Sequence, residues 1–376
     1  MSDFAIPILF AMLFVAYGNG ANDNFKGVAT LLGSGISDYR KALGWATVAT
    51  FAGSMTALAL ATRLISVFQG KGLVPEVLIQ FPPFLAAVTL GAAFTVFAAT
   101  IIGMPISTTH ALAGALVGAG VAATGWNLSL ATLLQNFFLP LLVSPLLAVT
   151  LTLMFYPLLQ NGLRLIGADK QTCVCIGNQM IPATVTPEGY ILSRSSTSLR
   201  VIVDRETQCV ERLTGTFWGI RIQKLIDAGH FFSAGAVSFA RGLNDTPKIV
   251  ALGLAASTLD LTWSVGLVAV TMALGGILNA RKVAETVSKR ITAMEPEQGF
   301  LANVVTSFLV IFASKWGLPV STTHVSCGSL FGIGIANGRG HWGVIRTILL
   351  AWVLTLPLAG ISGAVIFSAL SRLSEV

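Results

Sequence analysis

Charge is what this sequence has least of. Asp, Glu, Lys and Arg together make up 10% of its 376 residues, whereas a soluble domain carries about a quarter. A chain this poor in ionisable groups, and 54% hydrophobic, has too few polar side chains to solvate its own surface. That excludes an ordinary soluble globular protein. Cysteine is also scarce. Cys173, Cys175 and Cys209 lie in a polar middle, and Cys327 lies in an apolar stretch. A Cys-x-Cys pair with one distant partner is not a zinc-ligand spacing, so free thiols are expected in preference to a metal site or a disulfide. No basic residue precedes the first apolar run and no small-residue cleavage signature follows it. The N-terminal segment therefore reads as retained, not as a signal peptide.

What the chain has in plenty is long apolar sequence. Residues 42–60, 83–102, 130–158, 300–313 with their flanks, and 345–370 match the roughly 20 residues that a helix needs to cross a bilayer core. The expected class is an all-α polytopic protein of the cell membrane, in contact with lipid. The net charge of +7 is not a nucleic-acid footprint, because the basic residues gather in connecting segments: Arg40 and Lys41, Arg194 to Arg221, Arg281 and Lys282, Lys289 and Arg290. Such residues fix orientation and meet anionic headgroups. No nucleic-acid partner is expected.

Three regions follow: a first membrane repeat over residues 1–160, an extramembrane polar insert over 161–229, and a second membrane repeat over 230–376. The insert holds short β-branched runs at 190–192 and 199–203 and is expected to be partly strand. The word repeat rests on two matches. Gly20-Ala21-Asn22-Asp23-Asn24-Phe25-Lys26 aligns with Gly242-Leu243-Asn244-Asp245-Thr246-Pro247-Lys248 at an offset of 222 residues. Gly103-Met104-Pro105-Ile106-Ser107-Thr108-Thr109-His110 aligns with Gly317-Leu318-Pro319-Val320-Ser321-Thr322-Thr323-His324 at an offset of 214. The second match continues through glycines, Gly114 with Gly328 and Gly118 with Gly332. Repeats in a membrane chain point to a secondary transporter whose site lies between the copies, near the bilayer midplane. An odd number of spans per copy would invert the repeats, and that arrangement is expected here, with broken helices or re-entrant hairpins.

Both motifs place polar groups at membrane depth. A carboxylate there costs roughly 2.5–3.5 kcal/mol on insertion scales, so it faces a cavity and has a partner. Gly18-Asn19-Gly20 before Asn22 and Asp23 is expected to stop a helix. Pro105 and Pro319 precede Ser-Thr-Thr-His, and proline followed by a hydroxyl residue marks a helix start. A helix opening at Ser107 or Ser321 would aim free N–H groups and a positive dipole end at an anion. Three adjacent hydroxyls add donors without adding charge. His110 and His324 titrate near pH 6.5 when unperturbed and are candidate proton relays, although a hydrogen-bonded packing role is favoured.

Gly-Ala-Asn-Asp in the first half, Gly-x-Asn-Asp-x-x-Lys in the second and Pro-x-Ser-Thr-Thr-His in both resemble the inorganic phosphate transporter (PiT) family. The resemblance covers both membrane halves. It implies that Asn22, Asp23, Asn244 and Asp245, with Ser107, Thr108, Thr109, Ser321, Thr322 and Thr323, converge on one phosphate, with sodium beside Asp23 and Asp245 in sodium-coupled members. One departure is notable. The family's first motif continues after Asn-Asp as x-Ala-Asn-Ala, but here Lys26 stands in place of that asparagine, and Lys248 is its mate. An ammonium can take sodium's place and offset Asp23 or Asp245, so the coupling cation is H+ or Na+, with H+ preferred.

Hydrogen phosphate can donate to a carboxylate and sulfate cannot, which favours inorganic phosphate as substrate. Asp–Lys neutralisation weakens that discrimination and keeps a sulfate permease as the alternative. A phosphate-binding membrane sensor is the alternative from another class. No enzyme is expected, because no acid–base constellation accompanies the hydroxyl triplets. A second copy of the chain, in a homodimer, is compatible with the sequence.

Overall fold

The computed structural model describes residues 5–165, 167, 171–179, 184–185, 191–192, 199–255 and 259–374. Tyr190 and Arg194 lie outside them. The long helices are α1 (Ala5–Asp23), α2 (Tyr39–Leu60), α3 (Pro82–Ile101), α4 (Thr108–Thr124), α5 (Leu139–Leu165), α6 (Ile222–Ala255), α7 (Leu261–Asn279), α8 (Pro296–Trp316), α9 (Thr322–Ala336) and α10 (Trp342–Ser374). Among the described residues seven segments are long and apolar enough to cross a membrane: Ala5–Gly33, Tyr39–Leu60, Pro82–Ile101, Leu130–Leu165, Leu261–Asn279, Pro296–Trp316 and Trp342–Leu373. The span at α7 is absent from the sequence expectation. Its run is at least as apolar as those of α2 and α8, and its Gly275 and Gly276 lie against Tyr17 and Asn24.

The starts of these helices follow from their sequence. Asp38 caps α2, its carboxylate accepting from the Lys41 backbone N–H at 2.9 Å. That bond holds the exposed carboxyl below the usual range for aspartate. Ser107 and Ser321 cap α4 and α9, accepting from the backbone N–H groups of His110 at 3.1 Å and His324 at 3.2 Å. Each of these helices follows a tight reversal at a glycine with positive φ, Gly103 at 75° and Gly317 at 74°, where an L side chain would be strained. The reversals turn α3 into α4 and α8 into α9, so each Pro-x-Ser-Thr-Thr motif lies at the bend of a helical hairpin.

The glycine-rich stop expected at Gly18–Gly20 is not what the chain does. Helix α1 runs on to Asp23 and then tightens into a 3-10 turn over Asn24–Val28. In the second copy α6 passes without interruption through Asn244 and Asp245 and contains Pro247. The glycines serve packing instead. A Cβ at Gly20 would overlap the Met272 carbonyl of α7, and one at Gly242 would overlap the Thr50 carbonyl of α2. Gly118 of α4 meets the Gly360 carbonyl of α10 in the same way. Overpacking costs about 1–3 kcal/mol, so Gly118→Ala is expected to lower the melting temperature in detergent. Gly44→Ala, with nothing within 4 Å of the new methyl, is expected to leave it unchanged.

The residues divide into two compact units, Met1–Met154 with His230–Val376, and Phe155–Gly229. In the second unit β1 (Thr172–Gln179) pairs antiparallel with both β4 (Leu199–Arg205) and β5 (Leu213–Arg221), in the order β4-β1-β5. The two-residue strands β2 (Thr184–Val185) and β3 (Ile191–Leu192) pair separately. The expectation of free thiols is corrected here, because Cys175 and Cys209 form a disulfide, with Cys173 buried beside it. Strand periodicity puts Cys173 and Cys175 on one face of β1, and a helix at Glu206–Arg212 brings Cys209 to the same small core with Leu213. Linear spacing carries no trace of that helix. The bridge closes 34 residues, and removing such a link costs about 3–4 kcal/mol in a small unit. Cys175→Ala/Cys209→Ala is therefore expected to sensitise residues 155–229 to limited proteolysis.

Candidate functional site

Among the described residues, the buried Asp, Glu, Lys and Arg side chains are Asp23, Lys26, Arg241, Asp245 and Lys248. They form one cluster, built from α1 and its 3-10 turn, α6, and the first turns of α4 and α9. Burying charge is tolerated only where partners satisfy it, and for both lysines those partners come from the duplicated motifs.

The two lysines show how. Lys26 Nζ pairs with the Asp23 carboxylate and donates to Asn22 Oδ1 at 2.8 Å, to the Ile106 carbonyl at 2.9 Å and to Thr323 Oγ1 at 2.8 Å. Lys248 Nζ pairs with Asp245 at 3.3 Å and donates to the Val320 carbonyl at 2.7 Å and to Thr109 Oγ1 at 2.7 Å. Each ammonium thus holds its own copy's carboxylate, the carbonyl ahead of its own copy's Ser-Thr-Thr, and the last threonine of the other copy. Thr108 donates to Asp23 at 3.1 Å and Thr322 to Asp245 at 3.4 Å.

The asparagines lock the hairpin bends to the long helices. Asn22 Nδ2 donates to Thr100 Oγ1 and to the Met104 carbonyl, both at 3.0 Å. Asn244 Nδ2 donates to the Val320 carbonyl at 3.1 Å, and its Oδ1 accepts from Ser314 at 3.1 Å. Thr100 and Ser314 are themselves equivalent at the 214-residue offset. Ser107 and Ser321 lie at the edge of the cluster, occupied as caps. His110 and His324 face each other, ring centroids 4.3 Å apart, and His324 lies 3.9 Å from the Trp352 ring. His110 Nδ1 shares a hydrogen bond with the Trp352 carbonyl at 3.2 Å. The histidines are packed beside the lysine–aspartate cluster and are not woven into it.

Two members escape the motif reading. Asn19 Nδ2 lies 3.0 Å from Asp23 Oδ2, 3.0 Å from Thr108 Oγ1 and 3.3 Å from Asp245 Oδ2, bridging both carboxylates. Arg241 Nη2 donates to Asn19 Oδ1 at 2.6 Å, and Nη1 donates to Asn24 Oδ1 at 3.1 Å and Thr50 Oγ1 at 3.3 Å. The signal was available, since the 222-residue offset that aligns Asp23 with Asp245 also aligns Asn19 with Arg241.

Among the described residues no group of three or more His, Cys, Asp or Glu side chains could hold a metal ion. What the cluster offers is a dry, duplicated set of hydroxyls, amides and fixed charges at the openings of two helices, suited to holding a small anion.

Comparison with known proteins agrees with this chemistry. Residues 19–363 match the profile described as the phosphate transporter family. The chain is similar to a protein of Pyrococcus abyssi named as a phosphate permease, 26% identical over 405 aligned residues that cover 98% of each. It is also similar to a Mycobacterium tuberculosis protein named as a low-affinity inorganic phosphate transporter, 26% identical over 96% of this chain and 75% of that one. A solved structure titled the sodium-dependent phosphate transporter shares the fold at a TM-score of 0.76, with 20% identity, covering 98% of this chain and 99% of that one. With seven helices fit to cross a membrane among the described residues and a family match over residues 19–363, the chain is a multi-pass membrane protein that belongs to the phosphate transporter family.

Proposed function

We propose that the chain carries inorganic phosphate across the membrane as a secondary transporter, coupled to protons. The observation that carries this reading is the convergence of both copies' Asn-Asp and Ser-Thr-Thr segments on one buried cluster. The anion would sit between the openings of α4 and α9, held by Thr108, Thr109, Thr322 and Thr323 with Asn22, Asn244 and the two carboxylates. Ser107 and Ser321 order those openings as caps. Lys26 and Lys248 balance charge.

The choice of coupling ion rests on the same lysines. Each aspartate already holds an ammonium, and a carboxylate so engaged is a poor ligand for sodium. The relative whose fold is shared is titled sodium-dependent, and the lysines are the reason to expect otherwise here. A proton can travel on the phosphate itself or be taken up by a carboxylate released from its lysine.

Counterflow in reconstituted vesicles tests both parts. Labelled phosphate is expected to accumulate against unlabelled phosphate in sodium-free buffer, with unlabelled sulfate a weak competitor. Strict sodium dependence would remove the proton reading and leave the carrier. Efficient exchange by sulfate would make the protein a sulfate permease of the same fold, which the near-neutral Asp–Lys pairs would tolerate. No flux of either anion, together with phosphate binding, would indicate a sensor.

A further inference from the structure

The charges in the cluster do not cancel. Asp23 is met by Lys26 and Asp245 by Lys248, so Arg241 shares Asp245 with Lys248 at the longer distance and has no carboxylate to itself among the described residues. Its hydrogen bonds go to neutral oxygens: the Asn19 side chain and carbonyl, the Asn24 side chain and the Thr50 hydroxyl. Its Nε lies 3.8 Å from Asp245 Oδ2 and has no hydrogen-bond partner. Counted at formal charge, three cations stand against two carboxylates, all buried, which leaves one positive charge in excess. A guanidinium that is 1% exposed and has an unsatisfied N–H is costly to keep. A mobile anion is the group that would relieve it.

We propose that Arg241 is the anchoring residue for the transported oxyanion, the side chain that sets its affinity. This rests on the phosphate-carrier reading and adds a residue that neither duplicated motif contains. The chemistry suits the task. A guanidinium presents a planar fork of donors matched to two oxygens of a tetrahedral oxyanion, and it stays charged at every working pH. On binding, contacts with the neutral amide oxygens of Asn19 and Asn24 are exchanged for bonds to an anion, in which both partners are charged. The equivalent position in the first copy is the neutral Asn19, so the anchor is one-sided and belongs to α6. Asn19, which also bridges Asp23 and Asp245, would then report the loss of Arg241 to both carboxylates.

The test uses the full-length protein, measured for thermal melting with and without inorganic phosphate and for phosphate uptake after reconstitution. The wild type is expected to melt higher with phosphate. Arg241→Gln is expected to lose that phosphate-dependent shift and to raise the KM about tenfold to a hundredfold, the loss of a charged hydrogen bond. Arg241→Lys, which keeps the charge without the fork, is expected to recover part of the affinity. An arginine with a merely structural role would lower the melting temperature without phosphate while leaving the phosphate shift and KM intact, and that result overturns the proposal. Should Arg241→Gln not fold, an unchanged KM in Arg241→Lys overturns it equally. A wild type that neither binds nor moves phosphate overturns the functional reading itself.

Discussion

Asp23→Ala is expected to abolish phosphate uptake and to destabilise the protein by about 3–5 kcal/mol, because it strands a buried ammonium. Lys26 is 5% exposed, and Asp23 is its one carboxylate partner; the rest of its shell is an amide oxygen, a carbonyl and a hydroxyl. The decisive comparison is the double variant Asp23→Leu/Lys26→Met. Replacing both ends of a buried pair with apolar groups of similar size is often neutral or stabilising. The double variant should therefore melt near the wild type while still failing to carry phosphate. That combination separates two roles, charge balance in the fold and charge in transport. Equal melting of Asp23→Ala and the wild type would mean that the pair is solvated and that no dry cluster exists.

The second large effect belongs to the crossed threonines. Thr109 accepts from Lys248, and Thr323 accepts from Lys26. Each also donates across to the other copy, Thr109 to the Val320 carbonyl at 3.4 Å and Thr323 to the Ile106 carbonyl at 2.9 Å. Valine keeps the shape and removes the hydroxyl, leaving a buried donor unsatisfied at a cost of about 1–3 kcal/mol. Thr109→Val and Thr323→Val are each expected to cut initial uptake by about tenfold or more, with Thr109→Ser and Thr323→Ser close to wild type. The two valine variants should also resemble each other, because the geometry around them is duplicated. A dead Thr323→Val beside a fully active Thr109→Val would show that the copies do not contribute equally.

Much of this cluster was legible because the chain states it twice. A lone Asn-Asp in apolar sequence is ambiguous, but Asn22-Asp23 and Asn244-Asp245 at matching places name a common destination. Pro105 and Pro319 likewise announced the starts of α4 and α9, since local capping chemistry decides them. Other features depend on contacts that linear pattern does not carry. Gly18 and Gly20 read as a helix stop, yet α1 continues, because the backbone of α7 packs against the bare Cα of Gly20. Arg241 falls one residue outside the second motif and drew no sequence reading, although its register with Asn19 places it in the cluster. The Cys175–Cys209 bridge needed the strand face of β1 and a short helix after β4, and neither shows in the spacing of the cysteines.

The glycine contacts carry a mechanical consequence. Gly20 on α1 meets α7, Gly242 on α6 meets α2, and Gly118 on α4 meets α10. In every case a helix of one copy lies backbone to backbone with a helix of the other. The duplicated halves of the gene are therefore interleaved in space, like the fingers of clasped hands. A turnover cycle that slid one half past the other as a block would have to part three of the tightest seams in the protein. If turnover moves rigid pieces, these contacts favour mixed teams, α1 with α7 and α4 with α10, each drawn from both copies. A cross-link between α4 and α10 should then spare turnover.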